Sequence, residues 1–227
     1  MIATAPATAA PSLPVVETFH SLQGEGLHAG RSAFFVRLAG CSVGCSWCDT
    51  KHSWPAAAHP ARTLTDLAEE ARQAAEAGAA FTVITGGEPL HHDLGPFCDQ
   101  IQAATTNPER PAGLPLHLET SGVDPLSGRF AWITLSPKPH RPPHPELLAA
   151  CHELKVVVHG AEDLAFAVAM AAAADGAGDK PAGGEGVALL LQPGWQSAAG
   201  QDLAVDFVRR HPRWRLSLQS HKWLGVR

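Results

Sequence analysis

An alternation restricts the fold of this chain more than any single motif does. Apolar runs with the length and β-branched or aromatic content of buried strands are mostly separated by stretches of helical periodicity. The runs are Ser32 to Leu38, Phe81 to Thr85, Leu114 to Glu119, Trp132 to Leu135, His152 to Val158, Val187 to Gln192 and Trp214 to Gln219. The first predicted helix begins at Thr63, which forms a capping-box pattern with Asp66. Leu64, Leu67, Ala68, Ala71 and Ala75 share one of its faces, and Gly78 stops it. Further helices are predicted from Leu94 to Ala104, Glu162 to Ala173 and Leu203 to Arg210. Such an order predicts right-handed βαβ units and an α/β fold with a mostly parallel sheet, open or partly closed into a barrel.

Polar or glycine-rich clusters follow the strands: AGCSVGCSWCDT, TGGEP, ETSG, SPK, LQPGW and LQSHK. In parallel α/β folds the loops at the carboxyl ends of the strands gather on one face, where ligands bind. Six sequence-distant clusters can therefore line one pocket.

Composition excludes several partners. At 45% hydrophobic and 17% charged residues the balance is that of an ordinary globular chain. The net charge is −5 and Lys and Arg are scattered, so no nucleic-acid surface is expected. No run of 18 or more apolar residues suggests a membrane span, and MIATAPATAAPSLP lacks the basic and apolar regions of a signal peptide. The expected layout is a disordered Ala/Pro tail at residues 1–14, one domain at 15–227 and a flexible surface loop at 174–186, in a cytoplasmic protein.

Cys41, Cys45 and Cys48 form a C-x3-C-x2-C arrangement, and in a reducing compartment a tight cysteine cluster points to metal or redox chemistry. Three thiolates leave one corner open, whether of a zinc site completed by His52 or of a four-iron cubane. Cys98 and Cys151 lack partner spacing and read as core. Arg37 interrupts the apolar FFVRL, and a guanidinium in a buried strand needs an anion, supplied by an internal salt bridge or by a ligand. His91, His92, His140 and His144 have no spacing that commands a site. His221 stands just beyond a strand end.

CSVGCSWC after one strand and TGGEP after the next resemble the radical S-adenosylmethionine (SAM) superfamily. LQGEG, the CDT that closes the cysteine motif, SPK, LQP and the terminal QSHK extend that resemblance to the 7-carboxy-7-deazaguanine synthase family, from Glu17 to the C-terminus. The resemblance implies a partial (β/α) barrel catalytic domain and a 4Fe-4S cluster on Cys41, Cys45 and Cys48, with SAM on the open iron. It also implies ring contraction of 6-carboxy-5,6,7,8-tetrahydropterin through hydrogen abstraction from C6, with SAM regenerated.

By the same resemblance Trp47, Gly86, Gly87, Glu88, Ser136, Pro137, Lys138, Gln192 and Pro193 serve SAM. Leu22, Gln23, Gly24, Glu25, Arg37, Thr85 and His221 serve the pterin, with Arg37 meeting its carboxylate in a bidentate fork. Thr50 is the implied ligand of a magnesium ion (Mg2+), and Asp49 acts through water or only caps the next segment. The α-carboxylate of Arg227 is expected to accept the adjacent N–H and amine donors of the pterin. An electron donor such as flavodoxin or ferredoxin and a homodimer complete the implied partners. Two rivals stand beside this reading. A glycyl-radical activase would share the cysteines and TGGEP but has no need of LQGEG or QSHK, and a zinc-stabilised binding module would leave TGGEP, SPK and LQP unexplained.

Overall fold

The computed structural model describes residues 10–177 and 186–227. Residues 1–9 of the expected tail and 178–185 of the expected loop lie outside the described residues. The strands are β1 (Ser12–Leu22), β2 (Ser32–Leu38), β3 (Ala61–Thr63), β4 (Thr82–Gly86), β5 (Leu116–Thr120), β6 (Trp132–Leu135), β7 (Glu153–Val158), β8 (Ala188–Pro193) and β9 (Trp214–Leu216). The helices are α1 (Leu64–Glu76), α2 (Gly95–Thr105), α3 (Pro145–Ala150), α4 (Ala161–Gly176), α5 (Ala198–Arg210) and α6 (Ser220–Leu224). The sheet runs in the order β3-β1-β2-β4-β5-β6-β7-β8-β9. From β2 to β9 every pairing is parallel, while β1 is antiparallel to both β2 and β3.

The seven parallel strands are the seven runs legible in the sequence. The antiparallel edge is new, and it shortens the expected tail: Ser12 to Pro14 pair with Ala61 to Thr63, and Leu13 is buried. Pro14 sits where the sheet is only two strands from its end, a position that tolerates the missing N–H. The expected loop is also shorter at its start. Ala174 to Gly176 close α4, and Ala174 is fully buried against the core. Likewise WRLSLQ is a strand only to Leu216, after which Ser220 opens the short α6.

Strand alternation sorts side chains to two faces. Val36, Leu38, Ile84, Leu118, Leu135, Leu154, Val156 and Leu191 join the helices in one apolar core. In α1 the Thr63 hydroxyl accepts the Asp66 N–H at 3.1 Å, and Leu64, Leu67, Ala68, Ala71, Ala74 and Ala75 make its buried face. The opposite face carries Arg37, Thr85, Glu119, Thr134, Lys155 and Gln192, all of them polar or charged. Helices on one face and polar groups on the other make this a non-closed, barrel-like sheet whose interior is its working surface. Among the described residues no helix is long and apolar enough to cross a membrane.

Candidate active site

The cysteine loop follows β2 and is fixed by backbone. Gly40 N–H donates to Ser53 O at 2.8 Å and Cys41 N–H to Trp54 O at 3.1 Å, with Gly40 at φ 103° and Gly44 at φ 79°. Three histidines without any spacing signal hold the same loop. His91 Nε2 meets the Ser42 N–H at 3.1 Å, His140 Nε2 the Val43 carbonyl at 3.1 Å, and His92 Nε2 the Ala39 carbonyl at 2.8 Å. TGGEP lies directly against it: Gly87 N–H donates to Leu38 O and Glu88 N–H to Gly40 O. A Cβ on Gly87 would lie 2.3 Å from Gly40 O, and one on Gly86, at φ 133°, 2.1 Å from Leu38 O. Both glycines are thus required for backbone to approach backbone, whatever ligand they also meet.

Glu88, expected to meet SAM, lines the same cavity, but its carboxylate is already engaged. Its carboxylate is 1% exposed and accepts four hydrogen bonds, from Leu90 N–H (3.1 Å), Thr120 Oγ1 (2.5 Å), Ser121 N–H (2.8 Å) and Ser121 Oγ (2.5 Å). That carboxylate fastens the loop after β4 to the loop after β5.

These loops enclose a cavity of about 520 Å³ lined by all three motif cysteines, together with Trp47, Gly86, Gly87, Glu88, Ser136, Lys138, Gln192 and Pro193. Pro137 is buried and does not line it. Burial raises the Cys41 thiol, with the Glu88 and Cys48 charges adding to the rise. It also raises Cys45, against the opposing charge of Lys138. Metal must therefore displace these protons to bind. Cys48 Sγ lies 3.5 Å from Thr50 Oγ1. Among the described residues no three His, Cys, Asp or Glu side chains converge to hold one ion. A single zinc needs that convergence, whereas a cubane gives each cysteine an iron of its own. The donor set, three thiols lining one cavity, fits the cluster. Lys138 Nζ donates to the Ser136 carbonyl (2.6 Å) and hydroxyl (2.8 Å), and burial lowers its pKa.

A second cavity of about 550 Å³ is lined by Leu22, Gln23, Gly24, Glu25, Arg37, Thr85, His221 and Arg227, every residue expected to meet the pterin, and by Thr50. The two cavities share Glu25, Asp49, Thr85, Gly86, Glu119, Trp195 and Gln219 and so form two lobes of one site. LQGEG reaches it by an unexpected route. Because β1 is antiparallel, Leu22 pairs with Ser32 at the amino end of β2, and the following loop crosses the interior face. There Gln23 Nε2 donates to Glu119 at 2.9 Å, Gly26 N–H to Ser217 Oγ at 3.0 Å and Leu27 N–H to Glu153 Oε2 at 2.9 Å. Gly24 is packed under His221, where a Cβ would fall 2.1 Å from Nδ1.

Several expected contacts are already engaged. Gln23 gives its amide N–H to Glu119 and its carbonyl accepts the Glu25 N–H at 3.0 Å. Arg37 finds its anion inside the protein, with Nε donating to Glu17 Oε1 at 3.0 Å, while the Arg227 side chain meets Glu17 Oε2 at 3.0 Å. Asp49 pairs with Lys222 at 2.5 Å and ties the cysteine loop to α6. Glu25 pairs with Lys155 and accepts from Gln219 Nε2 at 2.8 Å. Burial opposes its ionisation, but the Lys155 charge and these hydrogen bonds prevail and hold it well below the usual carboxylate range.

Glu119, Lys155, Gln219, Trp195 and His159 line the site without having been singled out in the sequence. For Lys155 a signal existed: ELKVVV places Glu153 and Lys155 two apart in an apolar strand, hence on one face.

The chain matches the family model for the radical SAM superfamily over residues 36–163. It is 54% identical over 221 residues to the 7-carboxy-7-deazaguanine synthase of Prochlorococcus marinus, spanning 94% of this chain and 98% of that protein. Identity to the 7-carboxy-7-deazaguanine synthase of Synechocystis is 46%, over 95% of this chain and 94% of that protein. The fold is similar to the crystal structure of QueE from Escherichia coli, with a TM-score of 0.74 at 30% identity over 92% of this chain and 95% of the other. The chain therefore belongs to the radical SAM superfamily and, within it, to the 7-carboxy-7-deazaguanine synthase family.

Proposed function

We propose that this chain contracts the ring of 6-carboxy-5,6,7,8-tetrahydropterin to 7-carboxy-7-deazaguanine with loss of ammonia, a step toward queuosine and other 7-deazapurines. The observation that carries this reading is the two-lobed site, in which a thiol-lined cavity and a cavity with Glu25 and Arg37 share the wall of Thr85, Gly86 and Glu119. Cluster and SAM, when bound in the first lobe, supply one-electron chemistry that removes a hydrogen atom from the substrate. The chain's own residues bind, orient and exclude water.

In the first lobe Cys41, Cys45 and Cys48 hold the cluster, and Trp47, Gly87, Ser136, Lys138 and Gln192 surround SAM. In the second, Glu25 accepts donors of the heterocycle. Arg37 turns the nitrogens not used by Glu17 to the substrate carboxylate. Thr50 offers a hard oxygen to Mg2+ that substrate and water oxygens complete. A small-molecule substrate of this size suits the two volumes. A flavodoxin or ferredoxin as electron donor and a homodimer belong to the same reading.

Anaerobic turnover of the reconstituted protein with the carboxytetrahydropterin, SAM and a reductant tests it. The mass of the deazaguanine should appear in proportion to substrate consumed, and SAM cleavage without that product would refute the substrate assignment.

A further inference from the structure

β7 carries two ionisable groups to the interior face, Glu153 and Lys155, both nearly fully buried at 1% and 5% exposure. Lys155 is ringed by carboxylates. Its Nζ pairs with Glu25 Oε2, and the charges of Glu119 and Glu153 also act on it. Glu25 Oε1 in turn accepts from Gln219. Against the cavity, then, stands a carboxylate with one oxygen on an ammonium and the other on an amide, open to the lobe that takes the substrate.

We propose that Lys155 is a positioning residue that keeps Glu25 an ionised, acceptor-only carboxylate, the form required to receive adjacent N–H donors of the substrate heterocycle. The inference rests on the reading of the second lobe as the pterin site. A protonated Glu25 would point an O–H at donors, and a charge-assisted hydrogen bond would be lost, at a cost of roughly tenfold or more in affinity. Burial alone would drive Glu25 toward that neutral form. The other charged groups facing Glu25 do not replace the lysine. Glu119 and Glu153 repel its charge. His221 adds the smallest of the charges that favour ionised Glu25, and burial lowers its own pKa; Lys138, likewise lowered, is turned to Ser136. Burial pushes Glu153 toward the protonated form, and its Oε1 is buried and unpartnered.

The sign of the pH dependence follows. With Lys155 present the Glu25 pKa is depressed, and substrate affinity owed to the carboxylate persists through the whole neutral and mildly acidic range. Without it, the pKa rises, and affinity present above that value is lost as pH falls through it.

The test measures the dissociation constant of the carboxytetrahydropterin on the cluster-loaded protein with SAM and no reductant, from pH 8 to 5.5. Lys155→Met should bind near normally at pH 8 and weaken roughly tenfold per pH unit below its new Glu25 pKa. Lys155→Arg should restore the flat wild-type profile. Glu25→Gln should be weak and flat, and Glu25→Gln with Lys155→Met no weaker than Glu25→Gln alone. A flat loss in Lys155→Met, or full additivity in the double variant, would overturn the proposal. Should Lys155→Met fail to fold, the infrared difference between wild type and Glu25→Gln decides. A carboxylate band persisting to pH 5.5 supports the inference, and a carboxylic-acid band at neutral pH refutes it. That spectrum needs no substrate, so failure of the pterin reading and failure of Glu25 to stay ionised are distinguishable.

Discussion

Glu88→Gln should damage the site by loosening its loops. Each Glu88 oxygen takes one backbone N–H and one hydroxyl: Leu90 N–H and Thr120 on Oε1, Ser121 N–H and its own hydroxyl on Oε2. A glutamine must place its NH2 at one of these positions. The hydroxyl there can rotate to accept, but the backbone N–H cannot, so one buried donor is left without a partner. That costs about 1–3 kcal/mol, and the remaining bonds lose their charge assistance, for a total of roughly 2–4 kcal/mol. For a chain of 227 residues this lowers Tm by roughly 5–15 °C. The assay is an anaerobic thermal melt of the cluster-loaded protein beside equilibrium SAM binding. Thr120→Val leaves the Leu90 and Ser121 N–H groups on Glu88 but orphans the buried Gly122 N–H that Thr120 Oγ1 accepts at 2.9 Å, so it too should cost about 1–3 kcal/mol, with SAM binding near normal. If Glu88→Gln melts within a degree or two of wild type while SAM binding collapses, the carboxylate meets the cofactor directly and the fastening argument is wrong.

Replacing any one of Cys41, Cys45 or Cys48 with Ala should abolish SAM cleavage and lower iron from about four per chain; full activity in such a variant would sink the cluster assignment. Thr50→Val keeps shape but removes the hydroxyl, so the response of activity to magnesium should change while iron content stays normal. Loss of iron instead would mean that Thr50, 3.5 Å from Cys48 Sγ, supports the cysteine loop. Arg37→Lys retains a charge for Glu17 but not the planar fork, and should raise substrate KM with SAM affinity near normal; the reverse pattern would assign Arg37 to the cofactor or the fold.

The seven parallel strands were legible because each is a short apolar run, six of them closed by a polar or glycine-rich cluster. β1 was not: VVETFHSL mixes polar and apolar residues because it lies on the antiparallel side of the sheet, half-buried along most of its length, and Pro14 masks its start. At three residues, β3 is too short to carry a pattern. Motif residues at the strand ends were legible from their type and order, and all but Pro137 line the site. What they do there was less so, since Gln23 and Glu88 prove to be tied to neighbours that only the folded register brings near. Glu119 and Gln219 stand in the ETSG and LQSHK clusters, but their partners were not legible, because pairing across the interior depends on the long loop after β1 crossing that face. His91 and His140 owe their contacts to loops brought together by the sheet order rather than to anything local.

The central claim is that one continuous site presents the substrate's C6 hydrogen to SAM held beside the cysteine loop. Turnover of carboxytetrahydropterin deuterated at C6 tests it directly, by mass analysis of the SAM and deoxyadenosine recovered. Deuterium should appear in the recovered SAM as product accumulates. Product formed with no deuterium in SAM or deoxyadenosine would contradict the account.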